Sequence, residues 1–314
     1  MVQCGERMTV DDKALIDKIE RLKKEKRAVI LAHNYQRPEV QDIADYVGDS
    51  IELSRKAMDE RDAQLIVFSA VDFMAESGAL LNPEKKVVVP TPQAKCPMAQ
   101  MLPAYVARQW REKYPGAPLV LYVNTLAETR ALCDICCTSA NAVEVVQSLD
   151  NDTILFGPDY NLAKYVEKKT IKKIIPIPEY GFCPTHLNIH KEDVLLTMEQ
   201  YPDAPFLAHP ECRPEVMDIA DFIGSTSQMC RFARQCSAKR MIIGTEIGIL
   251  HRLKKENPGK EFVPAYEGAV CPNMKRNTLE SVYLALRDES YPVEVPAGIA
   301  EKARLCLERM FALK

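Results

Sequence analysis

The sequence predicts an α/β protein built from three pseudo-threefold-related α/β/α units, each with a parallel sheet, set around a central site. Three observations predict it. Cys-Pro pairs recur at Cys96-Pro97, Cys183-Pro184 and Cys271-Pro272, 87 and 88 residues apart. Other landmarks recur in the same order: Ile30 to Tyr35, Leu121 to Thr125 and Phe206 to Glu211, then Gly48-Asp49-Ser50, Cys137-Thr138-Ser139 and Gly224-Ser225-Thr226, then Asp72, Asp159 and Glu246. Finally, short apolar runs alternate with amphipathic segments, the pattern of parallel strands covered on both faces. Self-similarity at a fixed period marks a repeated architecture, and a period near 87 suits a small α/β unit rather than a solenoid.

Taken in order, Val10 to Arg27 has helical periodicity, with Leu15, Ile16, Ile19 and Leu22 on one face. Ala28 to Ala32 reads as a short buried strand. Ser50 to Arg61 reads as a helix with Ser50 as its N-cap. Leu65 to Phe68 and Val87 to Val89 read as two more strands, so each unit is strand–helix–strand–helix–strand. Helices at Ala104 to Tyr114 and Glu192 to Tyr201 open the second and third units. The units are expected at residues 1–103, 104–189 and 190–275, with two last helices in 276–314 packing back on the first. No low-complexity linker separates them.

Composition narrows the function. The 314 residues are 47% hydrophobic and 27% charged, with 41 basic against 44 acidic side chains and a net charge of −3. That balance offers nothing to nucleic acid or an anionic membrane. No apolar stretch approaches the roughly 20 residues of a spanning helix, and the N-terminus lacks the apolar region of a signal peptide. A cytoplasmic protein is expected. Eleven cysteines are many for such a chain; a reducing compartment favours metal or catalytic use over disulfides.

The chemistry is expected where strands end, because open α/β sheets bind ligands beyond their carboxyl edges. Cys96, Cys183 and Cys271 occupy matched positions, so about a pseudo-threefold axis their sulfurs converge. Thiolates favour zinc, Cu(I) or iron–sulfur clusters. Structural zinc prefers closely spaced cysteine pairs, and a cubane normally takes four cysteines. Three would hold a metal or an iron–sulfur cluster and leave one position open, where an iron could act as a Lewis acid. His33 and Tyr35, with His209 and Glu211 at the matching place in the third unit, look like acid–base equipment. Tyr122 and Asn124 are their polar counterparts in the second. Ser50, Ser139, Ser225 and Thr226 sit at matched helix starts, where free N–H groups cap or bind anions. His186, three residues after Cys183, is a candidate to orient a metal ligand. Cys133, Cys136 and Cys137 have no counterparts in the other units and read as packing residues, as do Cys230 and Cys236. Cys4, Cys212 and Cys306 carry no signal. No G-x-G-x-x-G or P-loop pattern follows a strand.

These residues closely resemble the quinolinate synthases, the A-type proteins of NAD (pyridine nucleotide) biosynthesis. The matching stretches are Ala32 to Gln36, Gly48 to Ser50, Tyr122 to Thr125, Cys137 to Ala142, Gly181 to His186, Ala208 to Cys212, Gly224 to Thr226, Gly244 to Glu246 and Cys271 to Lys275. The resemblance implies three α/β domains in a triangle around a 4Fe–4S cluster. It implies a transferase that condenses iminoaspartate with dihydroxyacetone phosphate to quinolinate, with loss of phosphate and water. The iminoaspartate would come from an L-aspartate oxidase or aspartate dehydrogenase. Carried over, Cys96, Cys183 and Cys271 ligate the cluster, Tyr35 and Glu211 transfer protons, and His33 and His209 polarise substrates. Ser50, Tyr122, Asn124, Ser139, Ser225 and Thr226, with His33, His209 and Glu211, bind phosphate and carboxylates. Arg130 stands where many relatives have lysine, and no catalytic role is assigned to it. Two other readings of the residues stand beside this one. A non-catalytic iron or redox sensor would need a partner surface, and a three-thiolate zinc hydrolase would show itself by metal analysis.

Overall fold

Each unit's apolar runs pair into a four-stranded parallel sheet in the computed structural model, which describes residues 10–313 and so leaves Cys4 outside them. In the first, β1 (Ala28–His33), β2 (Tyr46–Gly48), β3 (Leu65–Ser69) and β4 (Lys86–Val88) lie in the order β2-β1-β3-β4. In the second, β5 (Leu119–Tyr122), β6 (Ile135–Cys137), β7 (Thr153–Gly157) and β8 (Lys173–Pro176) lie as β6-β5-β7-β8. In the third, β9 (Phe206–Ala208), β10 (Phe222–Ile223), β11 (Arg240–Gly244) and β12 (Glu261–Pro264) lie as β10-β9-β11-β12. One topology is written three times. The register agrees too: His33 pairs with Gly48 and Tyr122 with Cys137, which are the residues that the sequence repeat equates.

The strands form because their residues are buried on both faces: β3 is buried at every position, and β1 at all but one. Ile30, Leu31, Ile66 and Phe68 are completely shielded from water. The sequence reading omitted one strand per unit. β2, β6 and β10 are only two or three residues long and sit at sheet edges, too short to show any periodicity. It also misplaced one cap. The helix Ser50–Asp59 is capped by Asp49, whose side chain accepts from the Glu52 N–H at 3.0 Å, so Ser50 is its first residue. Ser225 is a true cap, closing a capping box with Gln228 on the helix Thr226–Gln235.

The units are stitched together by side chains that cross their boundaries. Asn34 donates to Thr226 at 2.8 Å and Ser225 to Asp49 at 3.2 Å, joining the first and third. Tyr122 donates to Glu211 at 2.6 Å between the second and third. Glu76 accepts from the Ala127 N–H at 2.7 Å between the first and second. The last two helices part company. Leu279, Val282 and Leu286 of Leu279–Asp288 share a core with Ile19, Ile30 and Val67 of the first unit. Ala303, Cys306 and Leu307 of Ala297–Ala312 are buried among both Leu53 and Phe73 of the first unit and Cys136 of the second. That helix spans two units, rather than lying on the first alone.

Two glycines let the cysteine loop of the second unit close. A Cβ on Gly157 would stand 2.1 Å from the Ile177 carbonyl, and one on Gly181 would stand 1.8 Å from the Pro158 carbonyl. Backbone cannot retreat as a flexible side chain can. Gly181→Ala is expected to destabilise the protein by about 2 kcal/mol or more, read as a lower urea midpoint; an unchanged midpoint would show that this loop tolerates a Cβ.

Candidate active site

The three sheets aim the carboxyl ends of β1, β5 and β9 at one central cavity. His33 and Tyr35, Tyr122 and Asn124, and His209 and Glu211 follow those strands and line it. The segments after β2, β6 and β10 contribute Ser50, Ser139 and Thr226. The three cysteine loops contribute Cys96, Cys183 and Cys271. Ser225, expected among these, is not part of the lining: its hydroxyl is spent on Asp49 and on the Gln228 N–H. Apolar Val71, Phe73 and Met98 complete the wall.

The cysteines are held alike. Cys96 (φ −83°, ψ 117°) and Cys183 (φ −84°, ψ 115°) each cap a short helix whose first residue is the following proline. Beneath each loop lies a carboxylate that follows the third strand of its unit. Asp72 accepts the Cys96 N–H at 2.9 Å, and Glu246 accepts the Cys271 N–H at 3.1 Å. In the second unit the Cys183 N–H faces Asp159 more loosely. It favours the carboxylate, while Asp159 Oδ2 keeps no close hydrogen-bond partner. Burial raises the pKa of all three acids. Sequence reasoning had these residues only as landmarks of the repeat, although their spacing was the signal that could have given them a role.

The imidazoles are fixed in one tautomer by a shared device. Nδ1 of His33 accepts the Tyr35 N–H at 3.2 Å, and Nδ1 of His209 accepts the Glu211 N–H at 3.3 Å. Both rings are therefore neutral at the cavity, with Nε2 carrying the proton. Burial lowers each pKa to about 3. Glu211 behaves in the opposite sense. Burial pushes its pKa up, but His186 beside it, with hydrogen bonds from His186 and Tyr122, holds it well below the usual carboxylate range. His186 Nδ1 lies 2.8 Å from Glu211 and 3.1 Å from the Cys183 sulfur. Its Nε2 meets Thr245 at 2.7 Å, and Thr245 meets the Tyr35 hydroxyl at 2.6 Å. Burial and the Glu211 charge raise the pKa of Tyr35 and Tyr122, so both hydroxyls stay protonated. Asn124 presents a buried amide oxygen with no partner, an acceptor left for a ligand. The site thus offers neutral N–H donors, an ionised base and phenolic protons in one shielded space.

Among the described residues, two groups of side chains bring ligand atoms within 4.8 Å of one another and could hold a metal: Cys183, His186 and Glu211 in the cavity, and Cys133, Cys136 and Cys306 outside it. The second was missed because Cys306 arrives from the C-terminal helix, more than 160 residues away in the chain. Arg130 is fully buried outside the cavity, bonded to Ser77 and to the Phe73 carbonyl.

Residues 17–312 match the family model described as quinolinate synthetase A protein. The chain is 52% identical over 299 residues to a quinolinate synthase of Thermotoga maritima, covering 95% of this chain and 99% of the relative. It is 51% identical to quinolinate synthases of Thermodesulfovibrio yellowstonii (95% and 98% covered) and Thermococcus kodakarensis (97% and 100%). The chain belongs to the quinolinate synthase family. At that identity and coverage the family's activity extends to it, and it is an enzyme. In this quinolinate synthase, no helix among the described residues is long and apolar enough to cross a membrane.

The neutral histidines make a pH prediction. The folded pKa of His33, about 3, lies below the roughly 6.5 of an unfolded histidine. Between those values the unfolded chain binds a proton that the folded chain refuses, so stability falls as pH drops from about 6.5 toward 3. One such group contributes a slope of up to about 1.4 kcal/mol per pH unit. In metal-free protein, His33→Asn is expected to flatten the acid side of a plot of urea midpoint against pH; an unaltered slope would mean that His33 is protonated in the folded state.

Proposed function

We propose that the chain is a cytoplasmic transferase that joins iminoaspartate to dihydroxyacetone phosphate, releases phosphate, closes the ring and loses two waters to leave quinolinate. The atoms balance without an oxidant or a reductant, so no electron carrier is required. The observation that carries this reading is the meeting, in one cavity, of three thiols, two neutral imidazoles and an ionised carboxylate.

Cys96, Cys183 and Cys271 would hold a 4Fe–4S cluster. The donor set fits. The three cysteines line one cavity, and their sulfurs are not among the groups that close to within 4.8 Å, a spacing compatible with a cluster rather than with one ion. Burial keeps all three protonated until a cation is supplied. When bound, such a cluster supplies a Lewis acid at its open iron, which stabilises charge on a departing hydroxyl.

The chain's own residues do the rest. The Nε2–H groups of His33 and His209 polarise substrate carbonyl and imine carbons, as neutral donors that cost no buried charge. Glu211 accepts a proton from the condensing carbon. The Tyr35 hydroxyl returns a proton through its contacts with Thr245 and His186. Tyr122 orients Glu211, and the Asn124 amide meets a substrate donor. Ser50 and Thr226, each the first residue of its helix, and Ser139, two residues before the cap Asn141 of its own, receive phosphate and carboxylates, and Ser225 supports Thr226 as its cap. The apolar wall keeps water from the hydrolysable imine. An L-aspartate oxidase or aspartate dehydrogenase would supply that imine.

Anaerobically prepared protein is expected to be brown and to form quinolinate from the two substrates. Cys96→Ala, Cys183→Ala and Cys271→Ala should each lose cluster and activity together, and full turnover by a colourless, iron-free sample would overturn the reading. Glu211→Gln and Tyr35→Phe should keep the brown colour and lose about 10²- to 10⁴-fold in turnover; near-normal rates in both would remove these residues from proton transfer.

A further inference from the structure

We propose a second metal site, for a single zinc ion, formed by Cys133, Cys136 and Cys306 where the C-terminal helix crosses the second sheet. Cys133 and Cys136 belong to β6 and the turn before it, and Cys306 to the helix Ala297–Ala312. The Cys133 and Cys136 sulfurs are 3.7 Å apart, those of Cys136 and Cys306 are 3.1 Å apart, and all three close to within 4.8 Å. A tetrahedral zinc with sulfur at about 2.3 Å sets its ligands about 3.8 Å from one another. The trio therefore converges on one ion, which the cavity trio does not. None of the three lines the cavity, so the site is independent of the proposed cluster.

Charge selects the ion. Thiolates take zinc or Cu(I). A dication leaves three thiolates with one negative charge, whereas Cu(I) leaves two. Arg130 lies beside them, completely buried, its carbonyl 3.6 Å from the Cys306 sulfur and its Nε without a hydrogen-bond partner. Arg130 also meets Glu76 at 3.5 Å, so its charge is shared between that carboxylate and the sulfurs. Cys136 and Cys306 are buried and Cys133 is half-buried. As a thiol Cys306 donates to the Ala303 and Arg130 carbonyls at 3.1 and 3.6 Å, a proton that binding the ion would displace.

Zinc chloride added to anaerobically purified protein, its iron centre intact, tests this. Zinc K-edge absorption does not see the iron. It is expected to report one bound zinc per chain with about three sulfurs at about 2.3 Å. Cys306→Ala and Cys133→Ala should bind zinc at least ten-fold more weakly while iron content and quinolinate formation stay at wild-type levels. Should these variants fold poorly, the unaltered protein still answers: chelation should lower its melting temperature and zinc should restore it. Absence of a zinc–sulfur signal, equal zinc uptake by the variants, or a Cys136–Cys306 disulfide in place of metal overturns the proposal.

Discussion

A carboxylate at the end of the third strand of each unit, set against the backbone N–H of that unit's cysteine, is the contact on which the rest of the site depends. Asp72 and Glu246 make it at 2.9 and 3.1 Å, and Asp159 more loosely. A buried N–H without a partner costs about as much as a lost hydrogen bond, so each loop gains by staying where its carboxylate is. The strand fixes the acid, the acid fixes the loop, and the loop fixes the sulfur. Written three times about an axis, this chain of positions brings three thiols to one place without any sequence proximity among them.

The same strand ends carry the polar groups, and burial assigns them opposite charge states. His33 and His209 lose their charge because a buried cation with no dedicated partner is costly. Glu211 keeps its charge because Tyr122 and His186 both donate to it. Two neutral N–H donors and one ionised carboxylate thus coexist within a shielded space, a separation of protonation states that suits the proposed chemistry. The cost is borne by the surrounding structure, where inter-unit bonds such as Asn34 to Thr226 hold the walls against relaxation.

Much of this was legible in the sequence, for a physical reason. A repeat equates positions, so a pattern too weak to read once became readable three times. That is why the parallel sheets, the Cys-Pro loops and the residues after β1, β5 and β9 could be placed before any coordinates. What escaped lacked that amplification or was too short. β2, β6 and β10 have too few residues to show alternation. The cap at Asp49 depended on a one-residue offset that both Ser50 and Asp49 satisfy chemically. The cluster of Cys133, Cys136 and Cys306 has no counterpart in the other units, and one of its three members comes from a helix outside the repeat. Asp72, Asp159 and Glu246 were visible as repeat landmarks, but their partner atoms are backbone, which a sequence does not distinguish.

The central claim is that the thiols of Cys96, Cys183 and Cys271 surround the iron centre while Cys133, Cys136 and Cys306 do not. Anomalous diffraction at the iron edge, from crystals grown without oxygen in the presence of quinolinate, tests it most directly. The account predicts one compact iron peak in the central cavity, touched by those three sulfurs and facing the dicarboxylate, and no iron beside Cys306. An iron peak beside Cys306, with none in the central cavity, would contradict it.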